Sequence, residues 1–70
     1  MTETELKALE KAVAKARFNL SQKASELHDL IEDRLPADYA EIMTMAENTH
    51  KACYDWDVLN KQLQNEKLKL

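Results

Sequence analysis

The feature that most constrains this chain is a pair of matched apolar stripes separated by its one proline. Leu6, Leu9, Val13, Ala16, Leu20, Lys23, Leu27 and Leu30 follow one another by alternating threes and fours. The same step returns after Pro36 in Ile42, Met45, Thr49, Ala52, Trp56, Leu59 and Leu63. Such a repeat keeps one face of an α-helix turned toward a neighbouring helix along its whole length. Folding the chain about Pro36 makes neighbours of positions whose numbers sum to about 72. Leu9 then meets Leu63, Val13 meets Leu59, Leu20 meets Ala52, Leu27 meets Met45 and Leu30 meets Ile42. Small Ala16 lies opposite large Trp56, and polar Lys23 opposite polar Thr49. Complementarity layer by layer is what an antiparallel pair demands. The chain is therefore predicted to be all-α, an antiparallel two-helix hairpin of the helical coiled-coil type.

Local signals set the bounds of a single domain over residues 1–70. Thr2-Glu3-Thr4-Glu5 has the form of a capping box, a hydroxyl followed three residues later by a carboxylate. The first helix is expected over residues 3–33. The residue before a proline is pushed away from helical angles, which places a turn at 34–37. Asp38-Tyr39-Ala40-Glu41 reads as a second capping box, starting a second helix over 38–68. The sequence has no glycine and only one proline, so it has one place to turn sharply.

Seventy residues bury little. Below about 70–80 residues a lone core supplies little net stability once chain entropy is set against it. A hairpin with one stripe per helix therefore needs a second layer, either a second hairpin, making a four-helix bundle, or a larger partner. The residues for that contact are present. Tyr39, Met43, Ala46, His50 and Cys53 form a further stripe on the second helix, with Ile31 and Ala24 flanking the seam on the first. Two stripes on one helix suit two neighbours. His28, Asp29, Glu32 and Asp33 lie beside this turn-proximal patch. Phe18 and Tyr54 fall outside both stripes, at the level of Trp56.

Several function classes recede on composition and spacing. The formal charge is -3, and Glu3, Glu5 and Glu10 interrupt the Lys7, Lys11, Lys15 and Arg17 cluster. Nucleic-acid binding draws its affinity from neutralised phosphates, so this balance disfavours it, an RNA-binding dimer included. No apolar run approaches the roughly 20 residues needed to span a bilayer. The N-terminus lacks the charged start and apolar core of a signal peptide, so a cytoplasmic location is expected. One cysteine makes no internal disulfide. Catalysis finds no phosphate loop, no nucleophile with its base and no paired carboxylates, so no enzyme is expected. A hairpin this thin is also expected to lack a concave pocket of ligand size.

His50, Cys53 and Asp57 lie on one helical face at spacings of three and four, which could seat a transition metal. Against this, a cysteine in such a stripe is commonly a small buried hydrophobe and the histidine a rim residue. No cofactor is expected beyond that metal. Lys23, on the seam, should send its ammonium outward while its stem packs, and the polar layer with Thr49 should fix the register.

The segment Leu27-His28-Asp29-Leu30-Ile31-Glu32-Asp33 followed by Leu35-Pro36-Ala37-Asp38-Tyr39 resembles the Rop-like small proteins encoded within bacterial nitrogen-fixation gene clusters. Ala46, Thr49 and the stretch from Asp55-Trp56 to Leu63 fit the second helix of that family. The resemblance implies a helical hairpin that pairs into four-helix assemblies and a cytoplasmic role connected to nitrogenase. The function expected is that of a non-enzymatic accessory protein that protects, holds or escorts one state of its partner. That partner would be a nitrogenase component or a nitrogenase maturation protein, met through Ile31, Tyr39, Met43 and Ala46 with His28, Asp29 and Glu32. A metal-binding homo-oligomer built on His50 and Cys53 is the alternative, and a homodimer is compatible with either.

Overall fold

The computed structural model describes residues 1–69, in which two long helices fold back on each other. Helix α1 runs Glu3–Asp33 and helix α2 runs Ile42–Leu68, with a 3-10 turn at Tyr39–Glu41 between them. The hairpin is a rod 51 Å long and about 14 Å across.

The seam lies where the two stripes place it. Leu9, Leu20, Leu30, Ala52 and Leu63 are buried, and Leu30 is fully enclosed. Every other stripe residue, from Leu6 to Leu59, is at least half-buried against the facing helix. Among the described residues no side chain outside the stripes is buried. The core is therefore one residue layer thick.

At the N-terminus the Thr2 hydroxyl oxygen accepts from the Glu5 backbone N–H at 3.1 Å, capping α1. Glu5 does not complete the reciprocal half of the box. Its carboxylate accepts from the Thr2 hydroxyl instead, also at 3.1 Å. Glu3 and Glu5 in the first turn still favour the positive end of the helix dipole.

The start of α2 departs from the sequence expectation. The helix begins at Ile42, not at residue 38, and Asp38 makes no side-chain capping bond. Its carboxylate is already engaged. Arg34 Nε donates to Asp38 Oδ2 at 2.8 Å, and the same guanidinium reaches Glu41 through Nη2. With Asp38 held back toward α1, the chain makes one tight 3-10 turn before the α-helical ladder can start. The Asp38 backbone N–H donates to the Arg34 carbonyl at 2.9 Å, so Arg34 ties both ends of the connection together.

In the polar layer, Thr49 Oγ1 lies 3.2 Å from the Lys23 backbone carbonyl and 2.9 Å from that of Met45. The one hydroxyl hydrogen is shared between a carbonyl of its own helix and one across the seam, so the polar layer meets α1 through the Lys23 backbone. The lysine side chain itself leaves the seam as expected, its Nζ 3.8 Å from Glu26.

Candidate functional site

The turn end of the rod carries large exposed apolar side chains. Tyr39 is 71% exposed, Met43 70% and Ile31 54%, values far above those of any seam residue. Ala46 is half-buried between this surface and the seam. The grouping follows from helical position. Ile31 comes one residue after Leu30 on α1, and Ala46 one after Met45 on α2, so both emerge on the same flank of the hairpin. Side chains of this size left in water mark an association surface when they adjoin.

Charged groups border the patch. His28 sits between two carboxylates, with Nε2 3.1 Å from Glu32 and Nδ1 3.7 Å from Asp29. All three are well exposed. On the connection itself, the hydrogen bond to Asp38, aided by the charge of Glu41, raises the Arg34 guanidinium above its ordinary value.

Farther along the same flank lie His50 and Cys53, both exposed. Within one hairpin Cys53 is thus not the buried hydrophobe that its stripe position suggested. Asp57 is half-buried and pairs with Lys61, its Oδ2 2.9 Å from the ammonium, and this bond raises the lysine above its ordinary value. Among the described residues no three His, Cys, Asp or Glu side chains converge to hold a metal ion. Arg17 reaches the same flank and lies 5.8 Å from the centre of the Trp56 ring, within cation–π range.

Sequence reasoning missed a second surface. A shallow groove of about 630 Å³ runs along the middle of the rod, lined by Ala12, Lys15, Ala16 and Asn19 from α1 and Tyr54, Asp55, Val58 and Leu59 from α2. No concave feature of this size was expected from so thin a hairpin. It forms because Ala12 and Ala16 are too short to fill the space beside Val58 and Leu59. Ala12 and Asn19 each precede a seam residue by one position, as Asp55 does on α2. The groove therefore lies on the flank opposite the turn-proximal patch. Phe18 and Tyr54, at this level of the rod, are 65% and 63% exposed.

A model of the family described as Rop-like matches residues 4–67, nearly the whole hairpin. The chain belongs to the Rop-like family. No curated protein and no solved structure matches it. For the Rop-like chain described here, no helix is long and apolar enough to cross a membrane among the described residues. A small helical fold built for protein–protein interaction fits both the family and the exposed surfaces.

Proposed function

We propose that this Rop-like hairpin is a cytoplasmic, non-enzymatic accessory protein of nitrogen fixation. It binds a nitrogenase component, or a nitrogenase maturation protein, through its turn-proximal patch and protects, holds or escorts one state of that partner. The observation that carries the reading is the exposure of Ile31, Tyr39 and Met43 at the turn end, with the charged His28, Asp29 and Glu32 on the same stretch of chain. Large apolar anchors inside a polar rim supply most of the energy in protein interfaces. The direction toward nitrogenase rests on the likeness of Leu27–Asp33 and Leu35–Tyr39 to proteins of nitrogen-fixation clusters.

Affinity capture from nitrogen-fixing cells tests it. The parent chain should retain a nitrogenase component or maturation protein. Met43→Lys should lose it, because an unpaired ammonium in the contact costs about 3–5 kcal/mol. Lys67→Glu, at the far end of α2, is the control and should bind as the parent does. Equal capture by Met43→Lys would overturn the docking surface. The same preparation decides the metal alternative, which draws on the joint exposure of His50 and Cys53. Near-stoichiometric metal lost on Cys53→Ser would favour that alternative, since thiolate is the strongest ligand there.

A further inference from the structure

From the charge placement at the turn end we infer that Ile31, Tyr39 and Met43 dock on a basic protein surface, an apolar pocket edged by Lys and Arg. The inference rests on the turn end being the docking surface, as proposed above, and adds the chemistry of what it meets. Charge is segregated along the rod. Between Lys23 and Glu47 lie Glu26, Asp29, Glu32 and Asp33 on α1, with Asp38, Glu41 and Glu47 beyond it, against only Lys23 and Arg34. Elsewhere in the chain basic residues outnumber acidic ones, so the turn end accounts for the whole formal charge of -3. The rod is 51 Å long, several times the ~8 Å Debye length at physiological salt. Cations at the far end therefore do not cancel the field at the turn.

Little of this excess is neutralised locally. Arg34 is taken up by Asp38 and Glu41, and Lys23 Nζ lies 3.8 Å from Glu26. Asp29 and Glu32 have only His28, which carries charge only when protonated. Among the described residues the exposed Asp33 and Glu47 pair with no cation. Helix stability does not explain the arrangement either. The last turn of α1 holds no basic residue, although a helix C-terminus favours cations and opposes carboxylates. Glu32 and Asp33 thus stand where they weaken their own helix, whereas Glu3 and Glu5 in the first turn follow the dipole. Local choices made against the fold are expected at functional surfaces. Exposed apolar anchors beside uncompensated carboxylates suit a partner whose cations surround an apolar pocket. The same field repels nucleic acid, an anionic membrane and the turn end of a second copy.

The test follows association of the purified chain with two immobilised amphipathic helical peptides. They share one leucine face and differ only in a lysine or a glutamate polar face. The parent should bind the lysine peptide and not the glutamate peptide, with an association rate that falls roughly tenfold or more from low to high salt. Asp33→Lys should slow that association roughly threefold or more. Glu10→Lys, the same change of charge far from the turn, should keep the parental rate, and Met43→Lys should lose most of the binding. Thermal melts separate recognition from a structural role. Asp33→Lys should raise the melting midpoint by about 1–4 °C, because a cation suits the end of α1. Purified nitrogenase components, assayed in parallel, isolate the functional reading. If none binds while the peptides behave as described, the nitrogenase assignment fails and the basic docking surface stands. Equal binding of the two peptides, an equal loss in Glu10→Lys, or a lowered midpoint in Asp33→Lys would each overturn the inference.

Discussion

Leu30 is the one large side chain completely shielded from water among the described residues, although its neighbour Ile31 is more than half exposed. The contrast sets the cost of substitution at adjacent positions. Leu30→Ala should destabilise the hairpin by about 2–5 kcal/mol, through lost transfer energy and the cavity left behind. Ile31→Ala should shift stability by less than about 1 kcal/mol, because its side chain already stands in water. Urea denaturation of the two variants against the parent measures the difference, and equal losses would mean that Ile31 is covered in solution. Thr49 offers a finer probe. Its hydroxyl reaches across the seam to the Lys23 carbonyl, so Thr49→Val should cost about 1 kcal/mol while Thr49→Ser keeps the bond. Lys61 gives a pH signature with a defined sign. Its bond to Asp57 raises the folded-state pKa above the ordinary 10.5, so its stabilisation is fully present below 10.5 and lost as pH climbs through the raised value. The gap in melting temperature between parent and Lys61→Gln should persist at neutral pH and close only in strongly alkaline buffer.

Among the elements, both helices and their pairing were legible because one repeat served two purposes at once. A stripe of period three-and-four specifies a helix, and two stripes that match layer by layer specify the partner face. The beginning of α2 was not legible. Asp38 and Glu41 have the spacing of a cap, and only the folded turn reveals that Arg34 takes both carboxylates. An ion pair from a residue before the turn, competing with a capping motif, leaves no periodic trace in the chain. The turn-proximal patch could be read from the spacing of Tyr39, Met43 and Ala46, whereas the groove could not, because alanines at Ala12 and Ala16 read as neutral helix formers. Their shortness matters only once Val58 and Leu59 stand opposite. The Arg34 arrangement leads to a prediction of its own. Exposed ion pairs contribute little globally, so Arg34→Ala should leave overall stability close to that of the parent. Locally it frees Asp38 and Glu41, and amide exchange should quicken at Tyr39–Glu41 while the middles of α1 and α2 stay protected. Uniform acceleration along both helices would show that the clamp holds more than the turn.

The whole molecule is a rod with two unlike surfaces on opposite flanks, and this separation has a consequence for its melting behaviour. A chain stabilised by its own second copy melts at a temperature that rises with concentration, since mass action favours the associated folded state. If two copies meet on the groove flank, concentration dependence belongs to the charged residues lining the groove, Lys15 and Asp55, and not to the turn end. Thermal melts of the parent over a wide concentration range should therefore move upward as the chain is concentrated. Lys15→Glu should flatten that dependence, leaving a lower and nearly constant midpoint. Met43→Lys should keep the parental slope, because Met43 lies on the far flank and is already 70% exposed in the single hairpin. The effects should also combine additively in a Lys15→Glu/Met43→Lys double variant, as substitutions without shared partners do. A parental slope in Lys15→Glu together with a flat one in Met43→Lys would reverse the assignment and make the turn-proximal patch the face on which two copies meet.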